Sequence, residues 1–359
     1  MIPPSLPAAL RRTLLAALCG ACLAAPCAAR PTPSPSPPTS APASEAASIG
    51  TAKRTGAAEA ARLARQLVGG VSTHCVERGQ TLSSIAAGYG EPLSLLLRDN
   101  GLRIDAVLSV GSCLRIDNRK VVPPDGPPDG VLINIPERML FRWHDGVLAA
   151  AYPVALGRPD WPTPVGRWRV AQLRSDPVWH VPASIREEAR LEGKLLEAQV
   201  PSGPDNPLGH WWIGLDANGY GIHGTNAPSS LYGFRTHGCI RLRDDHAGAL
   251  FASVRPGTPV HIVYRTWLLA ELPDTSLWLQ SDPDPYRRGD VEADLRALHA
   301  LARRHGLDSR IDWPLARRLL ERPPSIAERI DVAAGASAAS AASAAAAPAV
   351  PDAHARSPH

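Results

Sequence analysis

Between residues 131 and 265 the apolar residues come in short runs and alternations: VLINIPERMLFRW, LAAAYPVAL, RWRVAQL, HWWIGLD, GYGIHG and PVHIVYR, with Gly, Pro and Asp between them. Short apolar runs with period two, broken by turn residues, predict strands. The expected fold is mainly β, a sandwich, and about 135 residues suffice for one core. The segment Pro177 to Leu208 interrupts the pattern with a helical piece, Ala183 to Leu196, and a loop, PSGPDNPLG. An insertion of this kind beside a site is expected to cover it as a lid. Upstream, His74 to Asp117 reads as strand, helix, helix, strand. Gly79 marks its first turn, Thr81 caps the helix carrying Leu82 and Ile85, and Asn100-Gly101 ends the second helix. After Arg265 the pattern turns helical and polar, with amphipathic helices over Gly289 to Arg304 and Trp313 to Arg322. Residues 266–330 are therefore read as a helical extension.

The remaining segments cannot bury a core. Residues 1–29 read as an export signal: Arg11 and Arg12, an apolar run from Leu14 to Ala25 too short for a bilayer, then small residues. The alternative is an anchor retained after export. Arg11-Arg12 with the following Leu pair faintly resembles a twin-arginine signal. Residues 30–70 form a Pro/Ser/Ala-rich linker, with a short helix expected over Ala57 to Val68. Val121 to Gly130, VVPPDGPPDG, is a second, stiffer linker. Residues 331–359 are an Ala/Ser/Pro tail expected to be disordered. The net charge of +4 is modest and no Lys/Arg run is interleaved with aromatics, which argues against a nucleic-acid partner. Three of the six cysteines lie in the signal, which fits an oxidising destination, the periplasm, for the others.

The chemistry concentrates in His223 to Arg243, HGTNAPSSLYGFRTHGCIRLR. A thiol attacks only as thiolate, and a nearby imidazole can take its proton. Glycines allow sharp turns and close approach to main-chain N–H groups. A lone Cys is usually a small buried hydrophobe, but Cys239 with His223, His237 and three glycines points to Cys–His acyl transfer. A zinc site from His223, His237 and Cys239 would lack a fourth ligand nearby, and no CxxC or HExxH pattern is present. No metal or cofactor is expected.

HGT followed by THGCIR resembles the active-site motif of the L,D-transpeptidases, the YkuD (ErfK/YbiS-like) family. The similarity extends over roughly residues 130 to 265, so the resemblance implies a YkuD-type β-sandwich over 131–265. It implies Cys239 as nucleophile and His223 as base, oriented by the backbone carbonyl of Gly224. If His237 and Cys239 share a strand, their spacing puts both on one face, where His237 would line the pocket or hold the tetrahedral intermediate. Arg241 would share that face and bind a substrate carboxylate. The N–H groups of Gly238 and Cys239 are candidate oxyanion donors. Thr225, Asn226 and Tyr232 are weaker pocket candidates, Tyr232 standing where many relatives have Gly. The implied reaction takes a peptidoglycan tetrapeptide stem as acyl donor. Its acceptor is a second stem amine (a 3–3 cross-link), a lipoprotein lysine, or water, the last giving an L,D-carboxypeptidase.

Residues 71–120 resemble a βααβ LysM module, which in its family binds the glycan of peptidoglycan. Cys75 and Cys113 fall on its two paired strands, so the resemblance implies a disulfide, worth about 4 kcal/mol by the chain-entropy estimate. The rival reading is a LysM glycan-binding wall protein whose second domain is catalytically silent. The intact HGT and THGC pairing argues against it.

Overall fold

A computed structural model describes residues 61–217 and 219–332. The expectations for the export signal, most of the first linker and the tail lie outside these residues. Among the described residues no helix is long and apolar enough to cross a membrane.

The first module comprises β1 (Leu67–Val68), β2 (Val71–Cys75), α1 (Leu82–Tyr89), α2 (Leu93–Asp99), β3 (Cys113–Asp117) and β4 (Lys120–Val121). Thr81 caps α1 through a capping box: its hydroxyl accepts from the Ser84 N–H at 3.1 Å, and Ser84 Oγ accepts from the Thr81 N–H at 2.9 Å. Asn100 ends α2 and ties it to β3, donating to the carbonyls of Leu96 and Arg115, both at 2.8 Å, and accepting from the Arg115 N–H at 2.7 Å. Leu82, Ile85, Leu96, Leu114 and Ile116 form the core. β2 and β3 pair antiparallel with Cys75 opposite Cys113, and the two sulfurs are bonded.

The second module begins with β5 (Gly130–Asn134), β6 (Met139–His144), β7 (Val147–Pro153), β8 (Leu156–Gly157) and β9 (Gly166–Ser175). The insertion follows: β10 (Trp179–His180), α3 (Ala183–Leu191) and β11 (Gln199–Val200). Then come β12 (Trp211–Leu215), β13 (Gly221–His223), β14 (Phe234–Thr236), β15 (Ile240–Arg241), α4 (Asp244–Ser253) and β16 (Pro259–Val263). Eight strands form one mixed sheet in the order β15-β13-β12-β9-β16-β5-β6-β7. The sheet curls until Ala155, just beyond β7, exchanges both backbone hydrogen bonds with Arg241 of β15, at 2.8 and 2.9 Å. The expected sandwich is thus realised as a curled sheet around one core, which includes Ile133, Leu140, Val170, Ile213, Ile222, Ile240 and Val260, with Leu250 of α4.

β5 and β6 read as apolar runs because both faces are covered. Val131, Ile133 and Leu140 face the main core, while Leu132, Met139, Phe141 and Trp143 join a second cluster with Ala87 of α1. At this seam Gly90 has φ +69°, and a Cβ there would lie 3.0 Å from Pro153 and 3.3 Å from the Met139 sulfur. The first module is therefore packed on the second. The presumed linker takes part in this packing: Val121 and Val122 are buried, and a Cβ on Gly126 would strike the Trp143 ring at 2.5 Å.

The C-terminal extension departs from expectation. α5 (Val291–Arg304) and α6 (Trp313–Glu321) are present, but they pack on a three-stranded sheet of β17 (Trp267–Glu271), β18 (Leu277–Ser281) and β19 (Ala327–Arg329). β17 shows no alternation because Trp267 and Leu269 face the α5/α6 cluster while Leu268 and Ala270 face another with Val121 and Ala327. The helix expected over Ala57 to Val68 is absent from its described part. The Ala64 N–H donates to Leu269 and the Ala64 carbonyl accepts from Glu271, so a sheet partner overrides the helix preference of an Ala-rich stretch. The insertion helix also stops short of Leu196. Gly193 adopts φ +74°, and the Lys194 N–H closes back on the Ala189 carbonyl at 2.8 Å, a glycine C-terminal stop.

A buried polar node joins all three modules. Lys120 is 1% exposed. Its Nζ donates to Tyr232 Oη at 2.5 Å and to the Ser325 carbonyl. Glu137, Asp282 and Gln280 are buried beside it, Gln280 donating to Asp282 at 2.8 Å. Burial and the Asp282 charge hold the Glu137 carboxyl well above the usual range, with Lys120 opposing them.

Candidate active site

β13 and β15 run parallel, with Ile222 opposite Ile240 and His223 opposite Arg241. Cys239 sits immediately before β15. Gly238, at φ +105°, turns the chain between β14 and β15, and a Cβ there would meet the Tyr220 ring at 2.5 Å. His237 and Cys239 therefore do not share a continuous strand, so strand alternation is not what brings their side chains to one side. Gly224 is pressed on α4: a Cβ would lie 2.0 Å from Asp244 Oδ1.

His223 is 4% exposed and its ring stacks on Trp212, centroids 6.0 Å apart. Its Nδ1 lies 2.7 Å from the Gly224 carbonyl. A carbonyl only accepts, so Nδ1 carries the proton and Nε2 is the basic nitrogen. Burial, aided by the Arg241 charge, pulls the imidazole down to about 3 against the Gly224 hydrogen bond. Cys239, half-buried, is the free cysteine among the described residues. Burial pushes its thiol up, opposed by the Gly221 backbone and by Arg241. The resting pair is thus neutral thiol and neutral imidazole. Alkylation of Cys239 by iodoacetamide is accordingly expected to keep accelerating as pH rises through and past the ordinary thiol range, because burial holds the thiol up; a plateau near neutrality would contradict it.

These groups line a cavity of about 460 Å³. The sheet contributes Trp212, His223, Cys239 and Arg241, and the insertion supplies a wall of Trp179, His180, Pro182, Ile185 and Leu208. His237 lines it too, with its Nε2 2.6 Å from Glu188 Oε2 on α3. Arg241 lines it while donating to Ser230 Oγ at 2.8 Å, and its Nε is buried without a partner.

Other sequence candidates lie elsewhere. The Gly238 N–H donates to Thr236 Oγ1 at 3.2 Å, which leaves the Cys239 amide as the candidate oxyanion donor. Thr225 is buried and its hydroxyl accepts from the Ala227 N–H at 3.0 Å, while Asn226 donates to the Pro204 carbonyl at 3.1 Å; neither lines the cavity. Tyr232 does not line it either. It is buried in the interdomain node with Arg138 4.2 Å above its ring, and its φ of +52° is the conformation glycine adopts most readily. Among the described residues no group of three or more His, Cys, Asp or Glu is arranged to hold a metal ion. Sequence reasoning missed Trp212, Trp179, His180 and Glu188. The aromatic pair of HWWIGLD was the available signal for Trp212, whereas nothing local marks Glu188.

A free thiol and a buried, backbone-anchored imidazole facing one cavity on a curled β-sheet define a cysteine–histidine enzyme domain. Residues 128–262 match the L,D-transpeptidase catalytic domain family (YkuD), and residues 74–117 match the LysM domain. The chain is 35% identical over 235 residues to the probable L,D-transpeptidase ErfK/SrfK of Salmonella typhimurium, covering 64% of this chain and 75% of that one. It is 39% identical over 204 residues to the probable L,D-transpeptidase YcfS of Escherichia coli, covering 55% of this chain and 63% of that one. Among solved structures, the Ldtfm–avibactam carbamoyl enzyme aligns with a TM-score of 0.31 at 21% identity, over 42% of this chain and 54% of that one. The chain belongs to the L,D-transpeptidase family and carries a LysM domain beside the catalytic one.

Proposed function

We propose that this chain is an exported L,D-transpeptidase of the periplasm that remodels peptidoglycan through a thioester on Cys239. The supporting observation is the shared cavity of Cys239 and His223, with His223 Nδ1–H held by Gly224 so that Nε2 is the basic nitrogen. Nε2 takes the thiol proton as sulfur attacks the carbonyl of the third, diamino-acid residue of a tetrapeptide stem. The same proton passes to the departing D-alanine amine, leaving the acyl group on sulfur. The Cys239 N–H is assigned to the oxyanion, and Arg241, on the cavity wall, to a carboxylate of the substrate. An amine then resolves the thioester: that of a second stem, giving a 3–3 cross-link, or that of a lipoprotein lysine. The LysM module supplies the contact with the glycan.

Mass spectrometry of purified muropeptides incubated with the enzyme and with Cys239→Ala tests this reading. Cross-linked dimers or exchanged fourth residues, absent with the variant, are the expected products. Adding a lipoprotein with a terminal lysine distinguishes the two amines. Tripeptides alone would mean that water is the acceptor, and unaltered muropeptides with folded enzyme would reject acyl transfer.

A further inference from the structure

The insertion delivers one carboxylate to the catalytic body. Glu188 of α3 places Oε2 2.6 Å from His237 Nε2, and its Oε1 takes a guanidinium N–H of Arg158. Arg158 in turn holds Asp160 at 2.9 Å, so the carboxylate is fixed from two sides. Hydrogen bonds from His237 and Arg158 keep Glu188 below the usual carboxylate range, hence ionised. An ionised carboxylate only accepts, so His237 Nε2 must carry the proton. The edge of the ring is held by Trp161, centroids 5.2 Å apart. Nδ1 is left without a hydrogen-bond partner among the described residues, on a side chain that lines the cavity two residues from Cys239.

The two imidazoles are therefore prepared differently. His223 is buried and anchored on a backbone carbonyl, a setting that disfavours its charged form. His237 is partly exposed, with its Nε2 on a carboxylate and its Nδ1 on the cavity side of the ring's hydrogen-bonded edge. The two half-reactions differ in the same way. Thioester formation needs a base for a thiol that stays in the cavity. Transfer needs a base for an acceptor that arrives from water as an ammonium.

We propose that Glu188 is a positioning residue that makes His237 the base for the acceptor amine, dividing the two half-reactions between two histidines. This rests on the acyl-transfer reading given above. The incoming ammonium gives one proton to His237 Nδ1. Its nitrogen then attacks the thioester carbon, and the C–S bond breaks as the C–N bond forms. One of the two protons of the new N–H₂⁺ group passes to the departing thiolate, the other stays on the amide nitrogen, and the imidazolium returns its proton to solvent. Thiol and amide result, and the balance closes without a co-reactant.

The test separates the steps on full-length enzyme. Burst release of D-alanine from a disaccharide-tetrapeptide without acceptor reads thioester formation, and its amplitude counts functional sites. Addition of a diamino-acid tripeptide to the preformed acyl-enzyme reads transfer. Glu188→Ala is expected to lower transfer at saturating acceptor by about 10²-fold, and the burst rate by much less. Glu188→Gln keeps an oxygen for His237 Nε2–H and is expected to recover part of the loss. Equal falls in both steps, or an unaltered transfer rate, would overturn the proposal while leaving the acyl-enzyme reading intact. Absence of any burst in the unmodified enzyme would overturn both.

Discussion

His223→Asn is expected to lower the burst rate of D-alanine release at pH 7 by about 10²- to 10⁴-fold, the usual worth of a positioned base. The magnitude follows from Cys239, whose thiol burial pushes up and which holds little thiolate at neutral pH without a proton acceptor. Asparagine is close in size to histidine and retains a side-chain N–H for the Gly224 carbonyl, so the site should keep its shape while losing the base. The pH profile provides the check. In the unmodified enzyme His223, lowered to about 3, is in its free form throughout the neutral range. The acidic limb of thioester formation should therefore fall well below the ordinary imidazole range. In the variant, activity should instead rise with pH as the thiol itself ionises. A variant with the same profile as the parent would remove His223 from the first step.

Lys120→Met is expected to cost about 3–5 kcal/mol, the penalty for breaking a buried ionic cluster by removing one partner. The ammonium is 1% exposed and bonds Tyr232 and the Ser325 carbonyl. Glu137 and Asp282 remain in the same dry space when it is gone, and methionine satisfies neither. At roughly 2–4 °C per kcal/mol for a protein of this size, Tm should drop by about 10 °C. Tyr232→Phe, which removes one hydroxyl and leaves the Lys120 ammonium among the same neighbours, is the comparison and should cost about 1 kcal/mol. Thermal unfolding of the three proteins at one pH settles the matter. Equal Tm values for Lys120→Met and its parent would show that the node contributes nothing.

The chain announced its parts unevenly. Thr81, Asn100 and the Cys75/Cys113 strands were legible because caps and a paired βααβ unit are written within a few residues. The sheet of the second module was legible as strands, but not its curl, which depends on Ala155 meeting Arg241 across 86 positions. β17 was missed because a strand covered on both faces loses its alternation. The Ala-rich stretch around Ala64 was misread because its partner, β17, lies some 200 residues away, beyond the reach of local propensity. At the site, His223 and Cys239 stood out by motif. Glu188 did not: its role comes from a single contact between the insertion and the catalytic body. Tyr232 was placed in the wrong part of the structure. Its place in the family motif, where many relatives have Gly, suggested the cavity, but the left-handed turn at that residue sends the side chain into the interdomain node.

The seam at Gly90 has one more consequence. A hinged glycan-binding module would only tether an enzyme near its polymer. Here Ala87 packs with Met139 and Phe141, and the Lys120 node fastens the far side of the same module. A sugar strand bound to a module fixed in this way would meet the cavity at one offset rather than over the sweep of a hinge. The stem offered to Cys239 would then follow the pitch of the polymer rather than the length of a flexible leash.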